Sequence, residues 1–212
     1  VIQNEERRNY HDPASYIWRL ADKGLWEKEE LGKNLFGTHE SLAAIRREDF
    51  LVFQEKMFSA ERTTAVFVNP GMSDSELQSF ALFPHYFSRK SAYPSSEDRN
   101  ITTVKKHIIF EQRDTETIHL AASFLTNSVR DKKEQMVLAF IRDYLANGWM
   151  SRLVQKLRVE KKLTYWVSGE TRDYLGSGYI RFSFSLSPSE LTTALHIFEE
   201  EIQKLKTTLL SH

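Results

Sequence analysis

Histidine pairs, cysteines and glycine-rich motifs are the features that would most directly assign a chemical activity to this sequence. None of them is present in a recognisable form, so the sequence excludes several activities. The seven histidines never occur three or four residues apart, which is the spacing that places two metal ligands on one helix face. Cysteine is absent, which removes disulfides, thiolate metal sites and cysteine nucleophiles. The G-x-S-x-G elbow, the P-loop and the G-x-G-x-x-G motif are also missing. The residues alone therefore contain no self-contained zinc, hydrolase or nucleotide motif.

The segment that most strongly suggests a function covers residues 147–165. It begins with a glycine-containing turn, continues as a short basic amphipathic helix, and ends at an aromatic residue that opens a strand. Taken alone, Arg158 and Tyr165 are a basic helix end and a strand-opening aromatic residue, both of which are common. We expect Trp149 and Met150 to pack between helix and sheet rather than to contact a ligand.

Composition places the sequence among ordinary globular proteins. Of its 212 residues, 41% are hydrophobic and 27% are charged, and the formal net charge is zero. A balanced charge gives no bulk attraction to nucleic acid or anionic lipid, so we expect neither as a partner. No apolar run approaches the roughly 18 residues that a membrane-spanning helix needs. We expect a cytoplasmic location, with a mitochondrial one as the alternative.

Local signals in the first half predict several capped helices and one strand. Asp12 followed by Pro13 predicts a helix start, with the helix continuing to about Trp26. Further starts are predicted at Thr38 and at Ser73, where Glu76 completes a capping box. A helix over 47–57 is predicted to bury Phe50, Leu51 and Phe53, and 63–68 (TTAVFV) is predicted to be a strand.

The second half alternates strand and helix patterns. Strands are predicted over 104–111, 117–125, 165–171 and 179–186, and helices over 131–146 and after Ser187. Met136, Val137 and Phe140 belong to the apolar stripe predicted to face the core in the first of these helices. The fold class is therefore α+β, with helices on one face of mixed or antiparallel sheets. Residues 88–100 are polar and predict a linker between domains at 1–87 and 101–212.

Several stretches in order resemble the insulinase/pitrilysin family of zinc metallopeptidases, the inverzincins, and most of all its mitochondrial-processing-peptidase-like branch. The matching stretches are VIQNE at 1–5 with Arg7, Arg8, Asp12 and Pro13; GTHE at 37–40 with Ile45, Asp49 and Phe50; NGWMSRL at 147–153; and Arg158, Leu163 and Tyr165 as R-x-x-x-x-L-x-Y. They span nearly the whole chain. The family's H-x-x-E-H is missing, and Lys162 stands where a glycine is common.

The resemblance implies roles for three residues. Glu5 corresponds to the third zinc ligand, although its plain interpretation is an exposed helix glutamate. Arg158 and Tyr165 resemble the pair that reaches toward the substrate, where arginine holds a carbonyl and tyrosine stabilises the oxyanion. In the family this pair faces the zinc site of the opposite half of a clamshell, so a homo- or heterodimer is expected.

Three hypotheses follow. The leading one is a fragment of a zinc metallopeptidase that hydrolyses peptides or presequences in a closed chamber. Zinc is then expected in the intact parent, whereas none is expected in this segment, which should be inactive alone. The alternative is a non-catalytic peptide-binding or structural partner subunit of the same fold. The third is an α+β interaction module without peptidase ancestry.

Overall fold

The structure is a computed structural model in which two compact units are distinguished. It describes residues 2–27, 29–59, 62–66, 68, 71–81, 108–127, 132–174 and 176–207. The first unit comprises Val1–Gly37 with Asp98–His212, and the second comprises Thr38–Glu97. The N-terminal helices therefore group with the sheet of the second half. The sequence instead predicts a division into domains at 1–87 and 101–212. The predicted linker at 88–100 lies outside the described residues.

Two helices open the first unit, and the sequence predicts the second of them. Helix α1 covers Ile2–His11 and α2 covers Pro13–Leu25, and a short 3₁₀ turn follows at Glu30–Gly32. Asp12 separates α1 from α2, and its carboxylate accepts hydrogen bonds from the backbone N–H groups of Ala14 and Ser15, each at 3.2 Å. These bonds satisfy two of the orphan donors at the start of α2, so the predicted N-cap is confirmed.

A three-stranded antiparallel sheet is the centre of the first unit. Its strands are β1 (Ile118–Thr126), β2 (Val167–Asp173) and β3 (Gly178–Leu186), in the order β1-β3-β2. The predicted α+β class is confirmed. The strand predicted over 104–111 is wrong over 108–111, which have no strand structure, and residues 104–107 lie outside the described part.

One face of the sheet carries the hydrophobic core. Helix α6 (Lys132–Ala146), a π-helix (Val154–Glu160) and α7 (Leu191–Thr207) contribute to it. Its fully buried members include Leu145, Leu153, Leu157, Phe182, Phe184 and Ala194. Burying each large side chain contributes about 1.5–3 kcal/mol, which makes this cluster the main source of stability for the unit.

Helix α6 packs less completely than its periodicity predicts. Met136, Val137 and Phe140 are exposed, so the prediction that they face the core is wrong. The helix meets the sheet closely at its C-terminal end, where a Cβ on Gly169 would lie 3.0 Å from the Cβ of Ala146. Because Gly169 lacks a side chain, Ala146 approaches β2 there and becomes buried.

The opposite face of the sheet is buried as well. Tyr179, Arg181 and Ser183 alternate with the core residues of β3, and all three are buried. Helix α2 packs over β1 on this side. Helices therefore lie on both faces of this sheet, whereas the sequence predicts helices on one face only.

The second unit contains three described helices. These are α3 (His39–Ala44), α4 (Arg47–Met57) and α5 (Asp74–Ala81). The predicted caps are confirmed: the Thr38 hydroxyl accepts from the N–H of Ser41 at 3.2 Å, and the Glu76 carboxylate accepts from the N–H of Ser73 at 2.8 Å.

Two other predictions for this unit are wrong. Phe50, Leu51 and Phe53 are exposed, because four consecutive apolar residues from Phe50 point all round α4 and define no single face. Residues 63–66 and 68 form no strand, and the described part of this unit contains no other strand to pair with them. Across the described residues, no helix is long and apolar enough to cross a membrane.

Candidate functional site

The turn between α6 and the π-helix is fixed by short-range hydrogen bonds. Gly148 has a φ of +93°, a left-handed conformation that glycine adopts without steric cost. Asn147 accepts a hydrogen bond from the N–H of Gly169 at 3.1 Å, which ties the turn to β2. The Gln155 amide donates to the carbonyl of Trp149 at 2.5 Å, and the Ser151 hydroxyl donates to the carbonyl of Gly148 at 2.8 Å. The backbone that presents Trp149 is therefore held in one conformation.

A buried ion pair fastens the beginning of the π-helix segment to α7. Glu201 is 1% exposed and accepts hydrogen bonds from Arg152 and, at 2.8 Å, from Lys204. Arg152 also donates to the hydroxyl of Tyr144 at 3.0 Å. Burial alone would raise the pKa of Glu201, but the hydrogen bonds from Arg152 and Lys204 outweigh it and lower the pKa.

The π-helix itself has unusual backbone geometry. Segments with this wider hydrogen-bonding pattern are rare and frequently occur at functional sites. It ends in hydrogen bonds from the N–H of Lys161 to the carbonyl of Lys156 and from the N–H of Leu163 to the carbonyl of Leu157, at 3.1 and 2.8 Å. Lys162 has a φ of +57°, and no other non-glycine residue in the described part has a positive φ. This conformation explains why glycine suits the position.

Replacing Lys162 with glycine is expected to raise the free energy of unfolding by about 0.5–1 kcal/mol, because the left-handed strain is relieved. The matched control is Lys161→Gly. Lys161 has a φ of −95°, so glycine there removes no strain and should destabilise by about 0.5–1 kcal/mol. Urea unfolding of both variants measures the difference, and equal effects from the two substitutions would contradict a strained Lys162.

Arg158 lies within the π-helix and is held by an aromatic ring. Its Cζ lies 4.6 Å from the centroid of the Trp149 indole. Within the described part of the chain, no carboxylate forms an ion pair with Arg158. The prediction that Trp149 and Met150 pack between helix and sheet is wrong, because they are 68% and 84% exposed. The indole therefore lies at the surface, where it contacts the Arg158 guanidinium.

Tyr165 lies two residues beyond the end of the closing turn and is 92% exposed. The backbone hydrogen bond between Leu163 and Leu157 brings the chain around Tyr165 next to the chain around Arg158. The structure thus carries both predicted residues on one short segment. Their roles toward a substrate stay predictions.

Glu5 lies on α1 and is exposed. In the described residues, no group of three or more histidine, cysteine, aspartate or glutamate side chains could hold a metal ion. Zinc in proteins takes four ligands, or three with a water, so a single exposed carboxylate does not fit a complete site. The ligand role of Glu5 stays a prediction.

Sequence reasoning missed a buried charge network on the α2 face of the sheet. Arg181 is 1% exposed and forms ion pairs with Asp22 at 2.5 Å and Glu170 at 3.2 Å. It also donates to the Ser123 hydroxyl at 2.8 Å, while the Tyr179 hydroxyl donates to Glu170 at 2.8 Å. Burial raises the pKa of Asp22, against the opposing effect of Arg181. The sequence signal that could have revealed this network is Arg181 itself, a charged residue within a predicted strand.

A cavity of about 470 Å³ lies beside this network, between α2 and the segment that follows it. Tyr16, Arg19 and Asp22 form one wall, and Leu31 and Phe36 are among the residues that form another. The volume falls within the range of about 300–1,000 Å³ that is usual for ligand pockets. No residue of 147–165 lines it, so the cavity and the segment that carries Arg158 are separate features.

Fold and site together define an α+β domain without a complete metal site in its described part. Residues 44–211 match the family described as the peptidase M16 inactive domain. The chain belongs to this family. The predicted resemblance is therefore confirmed at the level of peptidase M16, and the third hypothesis, a module without peptidase ancestry, is wrong.

Curated relatives of this chain have contrasting names. The chain is 23% identical over 203 residues to the "uncharacterized zinc protease YmxG" of Bacillus subtilis, covering 95% of this chain and 48% of that protein. It is 22% identical over 195 residues to the "non-peptidase homolog YmxG" of Helicobacter pylori, covering 89% and 44%. The chain thus spans about half the length of the curated relatives it matches.

Solved structures support the same fold. The peptidase M16 inactive domain from Pseudomonas fluorescens superposes with a TM-score of 0.83 at 17% identity, covering 99% of this chain and 51% of that one. A protease from Helicobacter pylori superposes with a TM-score of 0.82 at 11% identity, covering 100% and 52%. At these identities the likeness establishes the fold alone.

Proposed function

We propose that this chain is the peptide-contacting part of a peptidase M16 protein, with Arg158 and Tyr165 facing the bound peptide. The observation that carries the proposal is that the donors of both side chains are available: Arg158 has an indole rather than a carboxylate as its described partner, and Tyr165 is 92% exposed. An extended peptide presents backbone carbonyl oxygens. A guanidinium fork and a phenolic hydroxyl both donate hydrogen bonds to such acceptors.

For the whole protein we propose zinc-dependent hydrolysis of peptides or presequences in a closed chamber. Glu5 would then supply one zinc ligand, and the remaining ligands and the general base would come from outside this chain. Membership of the mitochondrial-processing-peptidase-like branch, and assembly as a homo- or heterodimer, belong to the same proposal. In that assembly, Arg158 and Tyr165 would face the zinc site of the opposite half.

The alternative is a non-catalytic peptide-binding or structural subunit of the same fold. The name of the Helicobacter pylori relative, a non-peptidase homolog, favours keeping this alternative open. The two versions differ in whether an H-x-x-E-H segment lies upstream of Val1 in the intact protein, which mass spectrometry of that protein would establish. The catalytic version and the peptide-binding form of the alternative both require the peptide contact through Arg158, whereas a structural subunit does not.

The Arg158 contact is tested by the affinity of the chain for a fluorescein-labelled, terminally blocked ten-residue peptide. Arg158→Ala is expected to weaken binding roughly 10-fold or more, because a hydrogen bond to a charged group contributes about 1.5–3 kcal/mol. Tyr165→Phe is expected to weaken it roughly 2- to 10-fold through loss of one neutral hydrogen bond. Fluorescence anisotropy measures both effects.

The matched control is Arg172→Ala, which removes an exposed arginine from β2, outside the segment 147–165. It should leave the affinity within about twofold, since a single surface charge contributes little. Equal losses from Arg172→Ala and Arg158→Ala would indicate nonspecific charge attraction. An unchanged peptide affinity in Arg158→Ala would contradict the proposed contact between Arg158 and the peptide.

A further inference from the structure

We infer that Trp149 is a positioning residue for Arg158: its indole holds the guanidinium so that the N–H donors are free for a peptide carbonyl. This inference rests on the proposed function, since it assigns the group that prepares Arg158 for its ligand. The Arg158 Cζ lies 4.6 Å from the indole centroid, within the range of about 6 Å for a cation–π interaction.

Arg158 differs from the other stacked arginines of this chain. In the described residues, five arginines lie over an aromatic ring: Arg19, Arg113, Arg152, Arg158 and Arg181. Four of them also form an ion pair with a carboxylate, namely Glu6, Glu111, Glu201 and Asp22. Arg158 is the exception. A paired arginine must break or share its ion pair to bind a ligand, whereas Arg158 keeps its donors available.

Stacking is the contact that suits this purpose. A guanidinium is planar, and its N–H groups lie in the plane, so a ring over one face leaves the donors directed outward. Replacing the ring with a carboxylate would occupy those donors in a fork-to-fork pair. The indole therefore restricts the orientation of Arg158 without competing with the ligand for its hydrogen bonds.

The backbone that carries the indole is held in place, although Trp149 itself is 68% exposed. The carbonyl of Trp149 accepts from Gln155, which lies in the first turn of the π-helix that carries Arg158. The preceding residue, Gly148, takes a left-handed φ of +93°. Both features fix the backbone from which the exposed indole extends. The contact it makes is with Arg158.

The first measurement needs no peptide. In NMR spectra of the chain, the δ-methylene protons of Arg158 should be shifted upfield by the ring current of the indole. The shift should disappear in Trp149→Leu and persist in part in Trp149→Phe, which keeps an aromatic ring. An Arg158 signal that is the same in Trp149→Leu as in the unaltered chain would overturn the inference, whatever the peptide experiment gives.

The second measurement uses the blocked ten-residue peptide. Trp149→Leu should weaken binding about two- to fivefold, the effect expected for losing an exposed cation–π contact, and Trp149→Phe should restore part of it. In the Arg158→Ala background, the same Trp149→Leu change should have less than about a twofold effect, because the residue it positions is gone. Met136→Ala, which trims an exposed apolar side chain on α6, is the control and should bind like the unaltered chain.

Two outcomes of the peptide-binding experiment would refute the positioning role of Trp149. If Trp149→Leu weakens binding equally with and without Arg158, Trp149 contacts the peptide itself and does not act through Arg158. If the unaltered chain binds no peptide, the proposed function fails and the positioning role fails with it, even where the NMR shift shows the stack. The NMR result therefore separates a failed stack from a failed function.

Discussion

Replacing Arg181 with methionine is expected to lower the free energy of unfolding by about 3–5 kcal/mol, the usual effect of removing one partner from a buried ion pair. Arg181 is 1% exposed and neutralises both Asp22 and Glu170. Methionine fills a similar volume but removes the ion-pair partner of both carboxylates. Urea unfolding monitored by circular dichroism measures the loss.

The deficit of Arg181→Met should also depend on pH. Burial raises the pKa of Asp22 above its ordinary value of 3.8, and the hydrogen bond and charge of Arg181 oppose that rise. Without Arg181 the pKa of Asp22 rises further. A carboxyl whose pKa is higher in the folded state binds more protons there, so stability falls as pH increases from the unfolded to the folded pKa. The deficit should therefore be smaller near pH 4 than near pH 7.

Arg172→Met is the matched control for this experiment. Arg172 lies on β2 and is exposed, so its replacement should change stability by no more than about 0.5 kcal/mol. A loss below about 1 kcal/mol for Arg181→Met would show that the buried pairs add little. A deficit that stays constant between the two pH values would show that Asp22 does not respond to Arg181.

The network also connects the sheet to the predicted ligand Glu5. Arg181 joins β3 to α2 through Asp22, and α2 joins α1 through the ion pair between Arg19 and Glu6 at 3.1 Å. Glu5 lies on α1, so these two links help to fix its position relative to the sheet, together with the packing of α2 on β1. Because the Arg19 pair is partly exposed, it contributes little alone, and Arg181 is the stronger link.

The sequence predicted the elements whose causes are local. Asp12, Thr38 and Ser73 each precede a helix that they cap, because a side-chain oxygen meets backbone N–H groups only two or three residues away. The direction of side chains along β3 was equally predictable, since alternation is a property of any strand. These features need no knowledge of distant residues.

The errors concern what covers an apolar face. Periodicity identifies Phe140 on α6 as part of an apolar stripe, but it does not say whether another element lies over it. Trp149 is predicted to pack between helix and sheet, and its contact with Arg158 depends on a turn geometry that periodicity does not report. The roles of Glu5, Arg158 and Tyr165 came from the family resemblance, because isolated carboxylates, arginines and tyrosines have no diagnostic spacing.

The grouping of the N-terminal helices with the sheet leads to the second large expected effect, that of Trp26→Ala. Trp26 is 1% exposed, and its indole N–H donates to the Ser177 hydroxyl at 3.2 Å. Its ring lies 5.5 Å from that of Tyr174 and 5.6 Å from that of Tyr179. Truncation to alanine should cost about 3–5 kcal/mol, because it opens a cavity and leaves the buried Ser177 hydroxyl without its partner.

This loss of stability should extend to the sheet, because Trp26 and β3 belong to one packed unit. Amide hydrogen exchange of β3 should accelerate in Trp26→Ala together with that of α2, whereas Trp149→Ala, which truncates an exposed tryptophan, should leave both protected. Trp26→Phe should fall between, since it keeps the ring packing and loses the hydrogen bond. If β3 keeps its protection while α2 loses it, the N-terminal helices would fold as part of a separate domain at 1–87. Coupled loss would instead make 1–37 part of the sheet's own cooperative unit.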